Sequence, residues 1–274
     1  SSRQAVYNKL QNVELKTSQE LVRYIASESE IIIREMKATQ APLLPGFRIK
    51  FLDGNCIEAS EKRLKKLRNT KAGALPGKSL VVFEQELGII SDVFPCEDGH
   101  AQERSLLSSV LEMIKENDLW CDDRNFCVLS FLFGIQCKNA YFITRQHANT
   151  PYMPLSEKGF IGESGTGNVY EQSVHLTLEG EEIEIRRIIV ELNKKTRNGY
   201  EELYIFTNLP RDKADALKIA HIYSKRWTIE TAFQKLEKYL NSEINSLGYP
   251  KAAFLKRPYL VFAWLWSLLI YTLL

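Results

Sequence analysis

Apolar residues recur at three- and four-residue spacing through Ile219, Ile222, Ile229, Phe233, Leu236 and Leu240, which is the signature of one buried helix face. Short alternating or continuous apolar runs, each bounded by turn-forming residues, occupy 47–52, 79–84, 88–94, 119–122, 140–145 and 203–207 and predict strands. Helical periodicity covers 3–37, 101–116 and 125–135. From 47 onward the order is β-β-β-α-β-α-β, then a strand and a long helix that Asp212 would cap, which is an α/β arrangement with a mixed sheet. Residues 150–200 break the alternation. Four glycines (159, 162, 165, 167) precede alternating runs at 175–178 and 182–192 around Glu179-Gly180-Glu181, so a hairpin-rich insertion is expected there.

The polar face of the predicted long helix carries Tyr223, Arg226 and Glu230 at positions i, i+3 and i+7, within an arc of about 60°. A helix that buries its isoleucine stripe would aim a phenol, a guanidinium and a carboxylate into one cleft. The same spacing also fits a solvated Arg226–Glu230 pair, worth about 0.2–0.5 kcal/mol. Two further carboxylates follow predicted strands: Asp53, in Asp53-Gly-Asn at the end of 47–52, and Asp123, in Asp123-Arg-Asn-Phe-Cys after 119–122. An isolated Asp at such a junction is ordinary turn chemistry. Three acids in this order, each in its own context, are a stronger signal.

The run Tyr223-Ser-Lys-Arg226-Trp-Thr-Ile-Glu230 resembles the Y-x2-R-x3-E-x6-K signature of bacterial insertion-sequence transposases of the DDE class. Asp53-Gly-Asn and Asp123-Arg-Asn-Phe-Cys resemble that family's first and second acidic motifs, and 99–107 resembles the text preceding the second. The signature lysine position is Glu237 here, flanked by Lys235 and Lys238. The resemblance implies an RNase H-like (retroviral-integrase-like) mixed sheet flanked by helices, with the β-rich insertion before the last catalytic helix. The expected domains are an N-terminal helical segment 1–40, a catalytic core split into 41–149 and 201–274, and the insertion 150–200. It further implies a transposase that cleaves and joins strands at terminal inverted repeats. Asp53, Asp123 and Glu230 would hold two Mg²⁺ (or Mn²⁺) ions, Tyr223, Arg226 and Lys238 would contact DNA, and double-stranded DNA would be bound by a dimer. A nuclease of the same superfold, or a non-catalytic DNA-binding remnant, are the alternatives.

Composition changes this picture little. A net charge of +2 from 36 basic and 34 acidic residues does not announce a nucleic-acid protein, so distribution matters more. One basic cluster spans 62–71, and a second comprises Arg186, Arg187, Lys194, Lys195 and Arg197; each fits either a DNA-facing patch or a solvated face. Five cysteines without a C-x2-C pair argue against a disulfide scaffold and fit a reducing, cytoplasmic setting. Four scattered histidines show no zinc-ligand spacing, and His147 reads as a strand-end cap or a DNA contact. The apolar run 260–274 is shorter than the roughly 20 residues that cross a bilayer, and is expected to be a core helix whose packing partner lies further along a longer chain.

Overall fold

The computed structural model describes residues 15–56, 78–96, 102–196, 199–231 and 234. The basic run 62–71, Glu237, Lys238 and the apolar run 260–274 lie outside the described residues. The chain divides into two compact units, one comprising Ser1–Ala41, Asp53–Leu106 and Ile229–Leu274, the other Pro42–Leu52 and Leu107–Thr228.

In the first unit, helix α1 (Leu15–Glu35) buries Val22, Ile25, Ala26 and Ile33, a three-and-four spacing that gives it one apolar face. It packs on strand β3 (Ile89–Pro95), which forms an antiparallel hairpin with β2 (Lys78–Glu84). Arg23 crosses from the helix to fork onto Asp92 at 3.0 and 3.1 Å. Burial nonetheless holds the Asp92 carboxyl above its ordinary value, so the arginine only partly offsets desolvation.

The second unit is built on a mixed sheet. Strand β1 (Arg48–Cys56) contributes its first five residues here, parallel to β4 (Asp118–Asp122), with Leu52 opposite Asp122. Strand β5 (Tyr141–Arg145) lies parallel to β4, and β10 (Glu202–Thr207) runs antiparallel to β5. All five residues of β4 are buried, as expected of a parallel strand covered on both faces. Helices α2 (Leu107–Met113), α3 (Leu129–Cys137) and α4 (Ala216–Ser224) complete the unit, and Phe51, Trp120, Phe126, Phe131, Phe142 and Phe206 fill its core.

Residues 150–200 do form hairpins, and these continue the same sheet. Strand β9 (Glu181–Leu192) pairs with β10 on one side and with β8 (Gly167–Leu178) on the other, while β6 (Met153–Pro154) and β7 (Gly159–Ser164) both pair with β8. Glu179 and Gly180 join β8 to β9 with φ of 52° and 89°, the two positive values of a type I′ hairpin loop.

Five expectations need correction. The helix expected at 101–116 is a 3-10 turn (Glu103–Leu106) followed by α2, which ends at Met113. The strand bearing Asp53 does not end at Asp53-Gly54 but runs on to Cys56. The helix expected at 125–135 is a 3-10 turn (Arg124–Phe126) followed by α3, because Val128 adopts an extended backbone between them. Asp215, not Asp212, caps α4, its carboxylate accepting from the Lys218 N–H at 2.7 Å. Finally, Tyr223 and Glu230 do not share an unbroken helix: α4 ends at Ser224, residues 225–226 form a turn, and helix resumes at 227–231. There the Arg226 N–H donates to the Tyr223 carbonyl at 3.0 Å, an i→i−3 tightening that turns Arg226 inward and leaves Trp227 exposed.

Candidate active site

Alternation along β4 puts Leu119, Cys121 and Asp123 on one line of side chains, with Asp123 the first residue beyond the strand. Asp123 opens the 3-10 turn, but its carboxylate makes no capping bond. The backbone closes the turn instead, the Phe126 N–H donating to the Asp123 carbonyl at 2.9 Å. Turn chemistry therefore does not account for the side chain. Its Oδ1 is buried and has no hydrogen-bond partner, and it makes a long ion pair with Arg145 Nη1 at 4.0 Å. Asp122, beside it, is wholly buried.

Tyr223 and Arg226, each 5% exposed, come to this strand from the end of α4 and the turn after it. The Tyr223 phenol titrates far above a tyrosine's ordinary range. Burial is the largest cause; Arg226 opposes it, Asp123 and Cys121 add to it, and Arg145 opposes it again. The phenol is thus a neutral donor at any physiological pH, in a field shared by one carboxylate and two guanidinium groups. Burial likewise pushes the Cys121 thiol up, with Asp122 adding and Arg226 opposing, so this cysteine stays protonated and inert. Tyr223 thus lies within electrostatic range of Arg226, Asp123 and Arg145.

Arg145 and Arg124, which the motifs contain but give no role, and Tyr200, which they miss, complete the surroundings. Arg145, at the end of β5, stacks 4.9 Å from the centre of the Tyr200 ring. Arg124 donates to the Tyr200 hydroxyl at 2.7 Å and lies 5.6 Å from the same ring. Arg226 sits 5.3 Å from the exposed Trp227 ring. Arg145 was legible as a cation closing the strand beside β4; Tyr200, following Gly199 in a loop, carried no periodic signal. His147 takes the capping role, its Nδ1 accepting from the Asn149 N–H at 3.2 Å. Of the second basic cluster, Arg186 is buried against Glu171 and belongs to no solvated patch, while Arg187, partly exposed, lies 4.8 and 4.3 Å from the Tyr152 and Tyr204 ring centres.

Asp53 and Glu230 belong to the first unit. Both are partly exposed, and Asp53 Oδ1 accepts from the Gly54 N–H at 2.9 Å. Among the described residues no three carboxylate, imidazole or thiol groups stand together as a metal site. The donor chemistry nonetheless suits a hard divalent cation. Carboxylate oxygens are what Mg²⁺ takes, and the buried Asp123 Oδ1, which accepts no hydrogen bond, is an acceptor left for such a group.

The chain is thus a mixed-sheet α/β protein with an acid just beyond a central strand, ion-paired to Arg145 and within electrostatic range of a buried tyrosine. The chain belongs to the transposase DDE domain family, whose match spans residues 45–265. DNA is the natural partner of this family, and its chemistry is divalent-metal-dependent cleavage. A comparison with curated proteins finds no match. No helix among the described residues is long and apolar enough to cross a membrane.

Proposed function

We propose that this protein is an insertion-sequence transposase that cleaves DNA at the terminal inverted repeats of its element and joins the freed 3′ ends to target DNA, working as a dimer on DNA in the bacterial cytoplasm. The observation that carries the reading is Asp123 Oδ1, buried just beyond β4 without a hydrogen-bond donor, beside Arg145 and within electrostatic range of Tyr223. The fold reading is RNase H-like, supported by the parallel β1–β4–β5 core to which β10 adds antiparallel.

Asp53, Asp123 and Glu230 would hold two Mg²⁺ or Mn²⁺ ions. When bound, such ions activate the attacking hydroxyl and stabilise the leaving oxygen. Arg226 holds a backbone phosphate through charge-assisted hydrogen bonds. Tyr223, kept neutral by burial, donates a hydrogen bond to the same strand without adding charge. Arg145 supplies a second cation beside Asp123, and Lys238 a further phosphate contact.

The test is thermal. Metal that binds only the folded state raises the melting temperature, so Mn²⁺ should stabilise the wild type and fail to stabilise Asp123→Asn. An equal shift in both removes Asp123 from the metal site. Cleavage without strand joining would make the protein a nuclease of the same superfold, and binding without cleavage a non-catalytic remnant.

Arg226 is expected to position phosphate without reading sequence. Arg226→Ala should weaken binding equally on inverted-repeat and random duplexes and lower the slope of log K against log salt by about one. Fluorescence anisotropy across a salt series measures both; a loss confined to one sequence contradicts the assignment.

A further inference from the structure

Gly54 follows Asp53 directly, and the space where its Cβ would stand is already filled. A carbon built there would lie 2.5 Å from Cδ and 2.7 Å from Oε2 of Glu103, closer than real side chains approach. Glu103 opens the 3-10 turn Glu103–Leu106 that leads into α2. An acid in a first helical turn needs no special reason, but this carboxylate is laid against the peptide that follows the first proposed metal ligand. That peptide is also tied to the ligand itself, since the Gly54 N–H donates to Asp53 Oδ1 at 2.9 Å. The two contacts adjoin at one residue: the Glu103 carboxylate packs where a Gly54 side chain would stand, and the Gly54 N–H donates to Asp53 Oδ1.

We infer that Glu103 is a positioning residue for Asp53, setting which carboxylate oxygen is turned toward a divalent cation, and that Gly54 is glycine because any side chain would evict Glu103. The inference rests on the proposed role of Asp53 as a metal ligand. Outer contacts that orient a ligating side chain typically change metal affinity by about 10- to 100-fold when removed. Glu103 acts by the space it fills against Gly54, so a glutamine of equal length should preserve the contact and an aspartate, one methylene shorter, should not.

The experiment is calorimetric titration of Mn²⁺ into the whole chain, with a duplex-binding assay alongside. Glu103→Ala and Gly54→Ala should each weaken Mn²⁺ binding by about tenfold and leave affinity for duplex DNA unchanged, whereas Glu103→Gln should stay near wild type. Mn²⁺ binding at wild-type strength in Glu103→Ala or Gly54→Ala, where Asp53→Asn has lost it, overturns the inference and spares the functional reading. Undiminished binding in Asp53→Asn overturns both. If neither Glu103→Ala nor Gly54→Ala folds, Glu103→Asp against Glu103→Gln decides: weakened binding in the first alone supports the inference, and equal binding refutes it.

Discussion

Asp123→Asn is expected to lower Mn²⁺-dependent nicking of a supercoiled plasmid by about a thousandfold or more. The mutation removes the carboxylate charge just beyond β4 while keeping its size. A catalytic metal contributes several kcal/mol of transition-state stabilisation, and each 1.4 kcal/mol is roughly tenfold in rate. DNA binding should persist or tighten, because Arg145 and Arg226 remain and a negative charge beside them has gone. This opposite response of cleavage and binding separates a catalytic acid from one needed only for folding. Nicking within tenfold of wild type at unchanged DNA affinity would remove Asp123 from the chemistry.

The largest expected stability loss lies in the hairpin region, at Glu171. This carboxylate receives Arg186 Nε and Nη2 at 3.0 and 2.8 Å and Arg211 Nε at 2.5 Å, while Arg186 Nη1 donates to the carbonyls of Leu209 and Ala214 at 2.9 and 2.8 Å. One guanidinium thus ties β8 and β9 to the segment leading into α4. Glu171→Ala leaves the Arg186 charge buried without its partner, which costs about 3–5 kcal/mol, a large part of a typical 5–15 kcal/mol total. At roughly 2–4 °C per kcal/mol the melting temperature should fall by about 10 °C, and an unchanged melting temperature would show the network to be energetically idle.

Acidity gives the same network a second signature. Burial raises the Glu171 pKa, but hydrogen bonds and charge from Arg186 and Arg211 outweigh it, so the folded value lies below the ordinary one. A depressed carboxyl contributes stability that is complete above the unfolded value, about 4.3, and is lost as pH falls through the folded value. Melts of the wild type should therefore drop steeply below about pH 4, and Glu171→Gln should flatten that limb. Parallel limbs in the two proteins would assign the acid sensitivity to other carboxylates.

The strands were legible because their apolar runs are short, dense and bounded by turn residues; β2, β3, β4, β5 and β10 fall within a residue or two of their predicted spans. The Glu179-Gly180 reversal was equally plain, since two successive positive φ values leave few residue choices. Helix boundaries were not. Leu-Ser-Phe-Leu-Phe continues a helical pattern backward through Val128, yet the chain breaks it with an extended Val128 after the 3-10 turn that buries Phe126. Periodicity likewise carried one helix through Lys225 and Arg226, where tertiary burial of Arg226 outweighs helix propensity and inserts a turn. At the site, Asp123, Tyr223 and Arg226 could be read from motif spacing. Tyr200, Arg124 and Glu103 could not, because each acts through a contact far along the chain: Tyr200 meets Arg124 across 76 positions, and Glu103 meets Gly54 through a glycine's missing side chain.

The continuity of the sheet through β10 also governs where the polypeptide tolerates editing. A residue added inside β8, β9 or β10 would slide a register fixed on both flanks and turn apolar side chains toward solvent. At Glu179 and Gly180 the chain is exposed and bends back on itself, so foreign sequence grafted there lengthens a tip without shifting any ladder. That hairpin tip is the natural port for an epitope, a fluorophore or a fused domain that must ride on the protein without disturbing Asp123.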